Sequence, residues 1–287
     1  MATAKTKKTV KRTSKPKTAK AVTTKTVVSD NKNEGVMKGF FARKGDPNEN
    51  ILTIFKSPRI YGAIIGEIIG TMLLAMLMLT LGIAQPIYVF LGIFAITMAI
   101  HGISGAHLNP IITVGSMATR RVSAIRGVLY IVAQIVGAWL GLVVASAFLK
   151  GGESGMELPT MAKVENFWAV TLIEALGAIV FAFFFARAYA QKCKSTAYAL
   201  VVAGGFTLAV LFAYIISVSF FSMQNNFIIN PAVAIMYQIF PSSGDFGAIC
   251  SALATYVIIP MVAGVIGFYL ADIASRLSGE QTCCDGK

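Results

Sequence analysis

The sequence predicts an all-α membrane protein: six membrane-crossing helices and two re-entrant half-helices, arranged as an inverted repeat. Three observations carry that prediction. Apolar residues make up 56% of the 287-residue chain and charged residues 13%, too apolar a balance for a soluble domain. Six apolar segments are each long enough to cross a bilayer, which takes about 20 residues. Two Asn-Pro steps, Asn109-Pro110 and Asn230-Pro231, head apolar stretches (111–117 and 232–240) that are too short to cross.

In chain order, residues 1–50 come first. They are rich in Lys, Thr and Ala, have no acid before Asp30 and show no apolar periodicity, so they read as a disordered basic arm. This stretch holds 13 Lys and Arg against 4 Asp and Glu, a net of +9 out of the chain's +12. The membrane part is therefore close to neutral. Such an arm suits anionic lipid head groups, at about 1 kcal/mol per basic residue near the surface. It suits better a solvated tail that helps fix topology, which is the favoured reading. Contact with nucleic acid would be through charge alone, and no specific binding is expected. The arm does not read as a secretory signal, because the first apolar run is too long and no cleavage site follows it.

The spans fall at about 60–84, 86–103, 123–149, 167–190, 196–221 and 247–277, within a channel-sized domain at 58–278 whose halves cover about 58–150 and 164–278. A short tail, 279–287, closes the chain. Arg120, Arg121 and Arg126 crowd the link between the second and third spans, and Arg187, Lys192 and Lys194 the link between the fourth and fifth. The opposite links carry Glu153, Glu157, Glu165 and Asp245, with Lys150 and Lys163 as their basic residues. The positive-inside rule then places both termini in the cytoplasm, as an even number of spans allows. Of the cysteines, Cys193, Cys283 and Cys284 fall in cytoplasmic segments, where thiols stay reduced, and Cys250 is expected to pack at the head of the sixth span. The Cys283-Cys284 pair suits lipidation or metal, but without a nearby His or further Cys it reads as an incidental tail pair.

The chain repeats itself. Glu67-Ile68-Ile69-Gly70 in the first span matches Glu174-Ala175-Leu176-Gly177 in the fourth, and Tyr130 and Gln134 match the spacing of Tyr256 and Pro260. The Asn-Pro steps fall in corresponding places. Each half holds three spans, so the halves are inverted in the membrane, a plan that puts the functional site near the midplane between them. Gly66, Gly70, Gly137, Gly141, Gly177, Gly204, Gly205, Gly264 and Gly267 are read as packing residues that let helices approach.

An Asn-Pro step is a helix start: Asn is a good N-cap, and Pro fits the first helical position because its missing N–H has no partner there. One such step is commonly a loop turn. Two, in matching places of a membrane protein, read as half-helices that dip in from opposite faces and meet end to end. Ser104-Gly105-Ala106-His107-Leu108-Asn109-Pro110 and Asn230-Pro231-Ala232 resemble the two signature loops of the aquaporin and glycerol-facilitator (major intrinsic protein) family, and the resemblance covers about 59–277. It implies an aquaporin-like fold, a homotetramer, and a pore whose signature residues are Asn109, Pro110, Ile111, Asn230, Pro231 and Ala232. The plasma membrane is the expected location.

Glu67 and Glu174 are the acids well inside the spans. An intramembrane carboxylate serves either as a relay for protons or cations, or as an acceptor for the backbone of a nearby re-entrant loop. One Glu per half favours the second role, and the family resemblance implies the same. His107 reads as a loop-bracing hydrogen bonder, because no second metal ligand lies at usable spacing; His101 is a residue for the lumen. No nucleophile triad, nucleotide loop or zinc cluster is present, so neither enzyme chemistry nor a cofactor or metal is expected.

The resemblance breaks at the constriction. Its relatives carry an Arg after the second Asn-Pro-Ala, where this chain has Val233, and Ala where this chain has Ile111. Counting from the loops to the places this resemblance implies puts other constriction residues at Val89 and Phe227, and leaves Phe212, Tyr214 and Val218 as candidates for the contribution of the fifth span. A constriction of Val89, Phe227 and Val233 carries no fixed cation, which lowers the barrier to bulkier or less polar solutes and also allows dewetting. The expected function is passive passage of water or small uncharged solutes such as glycerol, urea, ammonia or gas. The alternatives are an ion-conducting or proton-coupled channel using Glu67 and Glu174, and a closed membrane scaffold acting through the basic arm.

Overall fold

The computed structural model describes residues 54–81, 86–151, 166–191, 194–222, 227–239 and 246–278. The basic arm, the C-terminal tail with Cys283 and Cys284, and Cys193 lie outside these residues, as do Glu153, Glu157, Glu165 and Asp245. Among the described residues, helices make up all the regular structure. The spans are α1 (Pro58–Leu81), α2 (Pro86–Ser104), α4 (Ala124–Gly151), α5 (Phe167–Ala190), α6 (Ser195–Phe221) and a sixth built from α8 (Phe246–Leu253) and α9 (Ile259–Leu277). The half-helices are α3 (Pro110–Ala118) and α7 (Pro231–Ala234).

Packing follows the repeat. In the first half α1 lies against α2 and α4; in the second, α5 lies against α6 and α9. The halves meet where α2 lies against α6. The half-helices cross over: α3 packs on α9 of the other half, and α7 packs on α4. Six helices are long and apolar enough to span a membrane. Their outer faces expose large apolar side chains, among them Ile65, Val132, Leu172, Ile215 and Val262, which suit lipid tails and would aggregate in water. The chain is an integral membrane protein. Its interior is one apolar core running from Leu74 to Ala271, with a small satellite of Ile54, Ile60, Ala63 and Tyr130.

Close helix contact rests on glycine. A Cβ at Gly137 would meet the carbonyl oxygen of Ile68, one at Gly141 would lie 2.7 Å from that of Met72, and one at Gly267 would lie 2.5 Å from that of Ile179. These are backbone atoms that cannot swing aside, so the α1/α4 and α5/α9 contacts require glycine. Gly204 differs from its expected role, because nothing lies within 4 Å of its Cβ position. Cys250 also departs from expectation: it is exposed on the outer face of α8 rather than packed. A further difference is local helix geometry. The second half-helix continues from α7 as a π turn, Ile235–Ile239, and the sixth span opens into another, Ala254–Ile258, before α9. Pro260 explains the latter, since it supplies no N–H to the ladder and crowds the preceding turn.

Gly137→Val is expected to cost about 1–3 kcal/mol through overpacking. It should lower the thermal midpoint of the detergent-solubilised protein, while Gly204→Ala leaves it unchanged or higher. Equal midpoints for both variants would contradict this account of the α1/α4 contact.

Candidate functional site

The chain leaves α2 at Ser104 and turns back through left-handed backbone at Gly105, Ala106 and Leu108, with φ of 95°, 51° and 53°. This puts several peptide groups at membrane depth outside any helix. Glu67, on α1 and fully buried, meets them: Oε1 accepts from the His107 N–H at 3.0 Å, and Oε2 from the Leu108 N–H at 2.7 Å. The same carboxylate accepts from Ser104 Oγ at 2.5 Å and from Gln134 Nε2, on α4, at 2.8 Å. Loop carbonyls are held by phenols: Tyr130 Oη donates to the Ser104 oxygen at 3.0 Å, and Tyr198 Oη to the Gly105 oxygen at 3.2 Å. His107 Nδ1 lies 3.2 Å from Thr113 Oγ1, which also accepts from Gln134 Nε2 at 2.9 Å, and the imidazole plane stands nearly perpendicular to the rings of Tyr130 and Phe185.

The second loop uses the same device with fewer side chains. Glu174, also fully buried, accepts from the Ile228 N–H at 2.7 Å and the Ile229 N–H at 3.0 Å. Ile229 is left-handed, with φ of 45°, at the place that matches Leu108. A β-branched residue there costs about 1–2 kcal/mol. Carboxylate bonds to its N–H and an amide bond to its C=O hold it in place.

Each Asn caps its own half-helix and reaches across to the other loop. Asn109 Oδ1 accepts from the Ile111 N–H at 2.9 Å, and Asn230 Oδ1 from the Ala232 N–H at 3.1 Å. Asn109 Nδ2 donates to the Ile229 carbonyl at 2.7 Å, and Asn230 Nδ2 to the Leu108 carbonyl at 3.0 Å. A carboxamide nitrogen has two hydrogens, so each Asn keeps one after this exchange. The two half-helices thus present their positive ends and two amide donors at one place inside the protein.

The other residues singled out from sequence lie as follows. Pro110, Pro231 and Ala232 are buried at the half-helix starts. Ile111 is fully buried and occupies the space that a Cβ on Gly264 would need, so its extra bulk is taken up by α9. Val89, Phe227 and Val233 are 5%, 2% and 2% exposed and belong to the main apolar core. Phe212, Tyr214 and Val218 are 47%, 43% and 38% exposed, off the buried stripe of α6 that runs through Phe206, Val210, Ala213 and Ser217. His101 is buried, with its ring stacked 3.9 Å from that of Tyr198. Sequence reasoning missed Thr113 and Tyr198, saw Ser104 only as part of the loop motif, and saw Tyr130 and Gln134 only as repeat matches. An intramembrane Gln beside an intramembrane Glu was the available signal.

Six spans folded as an inverted repeat around two half-helices that meet Asn to Asn define a polytopic membrane protein with its polar site at the repeat interface. The family model described as "Major intrinsic protein" matches residues 54–274, and the chain belongs to that family. Among curated relatives, the glycerol uptake facilitator protein-like 6 of Lactiplantibacillus plantarum is 28% identical over 222 residues, 73% of this chain and 96% of that protein. The Aquaporin PIP-type of Atriplex canescens is 42% identical over 59 residues, so the match spans 21% of either chain. Among solved structures, the aquaglyceroporin from Plasmodium falciparum has a TM-score of 0.61 at 18% identity, covering 77% of this chain and 99% of that one, which is a likeness of fold.

Replacing Glu67 by Gln turns one acceptor oxygen into a donor facing donors. The expected cost is about 1–3 kcal/mol for each buried N–H left unpaired. Glu67→Gln should therefore lower the thermal midpoint more than Gln134→Leu, which removes one donor from the carboxylate and one bond to Thr113. The reverse order would argue against the carboxylate as the anchor of the loop.

Proposed function

We propose that this chain is a passive channel for water and small uncharged solutes, working as a homotetramer in the plasma membrane with both termini in the cytoplasm. The observation that carries the reading is the reciprocal exchange between Asn109 and Asn230, which holds two helix N-termini facing each other inside the membrane. A neutral solute with an acceptor oxygen can exchange part of its hydration for the remaining amide hydrogens and move on. A cation meets the positive ends of both half-helices and, among the described residues, has no ring of carboxylates to replace its water.

Glu67 and Glu174 act as loop anchors in this reading. Both oxygens of each carboxylate accept hydrogen bonds from the loop it braces, which supports bracing over proton relay. Val89, Phe227 and Val233 form the constriction. With Val233 in the place of an arginine, the constriction carries no fixed charge, which favours glycerol, urea, ammonia or dissolved gas alongside water. The relative named for glycerol uptake supports that solute class.

Stopped-flow light scattering on proteoliposomes tests the proposal. Osmotic water flow and glycerol entry should both exceed those of empty liposomes. Neither doing so would sink the channel reading. Val233→Arg should reduce glycerol entry more than water flow; glycerol entry that stays unchanged would remove Val233 from the constriction.

A further inference from the structure

The first half-helix is anchored at both ends, and only its Asn end belongs to the site described so far. At its other end α3 stops at Ala118, with Thr119 as the cap. Thr119 donates from N to the Gly115 oxygen at 3.1 Å and from Oγ1 to the same oxygen at 2.7 Å. The chain then turns through Arg120, which is exposed and left-handed with φ of 57°. That turn folds Arg121 back over the helix end, where its N–H donates to the Ser116 oxygen at 2.8 Å.

Arg121 is 6% exposed. Its Nη1 donates to Thr119 Oγ1 at 2.6 Å, and its Nη2 pairs with Asp272 Oδ1 of α9 at 2.5 Å. The guanidinium carbon lies 5.4 Å from the ring centroid of Tyr189 on α5 and 5.1 Å from that of Phe268 on α9. Phe268 also lies against α3 itself, where its ring fills the space a side chain on Gly115 would need. One side chain therefore ties the end of α3 to two spans of the opposite half. Arginine suits the place: its planar fork serves two acceptors at once while its faces meet aromatic rings, whereas a lysine ammonium is a more compact, more strongly hydrated charge with no flat face to stack. Pairing and aromatic contact offset the cost of burying the charge.

We infer that Arg121 is a positioning residue for the pore: by clamping the outer end of α3 to α5 and α9, it sets the height and rotation at which Asn109 meets the second loop. A nine-residue helix is a rod of about 13 Å, so a shift at Thr119 is delivered to Asn109. This rests on the channel reading above for its solute consequences, while its structural content stands on the clamp.

The test uses the full-length chain with Arg121→Met, Arg121→Lys and Asp272→Asn, and Gly141→Ala, which meets the Met72 carbonyl a turn away from Glu67, as a destabilised control remote from the clamp. Two readouts are independent of how much protein folds. One is the ratio of glycerol to water permeability in proteoliposomes. The other is hydrogen exchange of residues 105–123 compared with 227–239. In Arg121→Met and Asp272→Asn, protection of 105–123 should fall by roughly tenfold, the equivalent of about 1.4 kcal/mol, with 227–239 little changed. The permeability ratio should change beyond the scatter of replicate preparations, and Arg121→Lys should restore part of both. The control should lower both fluxes in proportion and leave the ratio alone.

A ratio that stays at the wild-type value, or protection lost equally from both half-helices, would overturn the inference. Should Arg121→Met fail to fold, Arg121→Lys and Asp272→Asn are read by the same criteria. If the wild-type chain passes neither solute, the channel reading fails; the exchange data still decide the clamp, with local loss in 105–123 supporting it and unchanged protection overturning it.

Discussion

Non-helical backbone inside a bilayer has no water to turn to, and each peptide group left without a partner costs several kcal/mol. Both re-entrant loops run through that environment, and everything else at the centre of this protein is arranged around supplying their partners. Glu67 and Glu174 answer the N–H groups of the two residues before each Asn. The carbonyls of Leu108 and Ile229 are answered by the Asn of the opposite loop. A left-handed Leu and a left-handed Ile persist because bonds on both sides of each residue hold them there. The polar side chains at the midplane are thus first of all a solution to a backbone problem, and the solute pathway uses what that solution leaves over.

The two halves solve it differently. Around the first loop the carboxylate has side-chain company, with Ser104 and Gln134 donating to it and Thr113 joining Gln134 to His107. In the second half the positions that match His107, Thr113 and Gln134 are Ile228, Ala234 and Pro260. Apolar contact takes over there, as where Ile229 fills the space beside Gly177. The π turns also belong to this half, at Ile235–Ile239 and Ala254–Ile258. The repeat keeps the backbone pattern and lets the side chains diverge, because only the former is forced by the membrane.

That distinction also explains what could be read from sequence. Six spans were legible, since length and apolarity are set by the bilayer, and each expected segment corresponds to a helix with ends shifted by a few residues at most. The half-helices were legible because Asn and Pro have fixed uses at a helix start, and the pairing of Glu67 with Glu174 stood out because intramembrane acids are rare. The left-handed Leu108 and Ile229 were not legible: that conformation is normally flagged by Gly or Asn, and here it is imposed by distant partners. The π turns and the exposure of Cys250 depend on tertiary packing. So does Gly204, which resembles the packing glycines in sequence but has open space where a Cβ would stand. Arg121 was counted as a topology charge like its neighbours, and nothing local announced that it, and not Arg120, would be buried.

The exchange between the loops has a consequence for how such a chain is made. Leu108 waits for Asn230, which lies 122 residues further along, and Asn109 waits for Ile229, 120 residues on. During synthesis the first three spans and α3 enter the membrane before those partners exist. Glu67 and its neighbours, all contained in the first half, can hold the first loop's N–H groups meanwhile. The carbonyl of Leu108 and the amide of Asn109 cannot be satisfied as they are in the finished fold until the second half arrives. The heavier polar bracing of the first loop therefore sits in the half that is made first, and the exchange between the loops can form only once the second loop has been made.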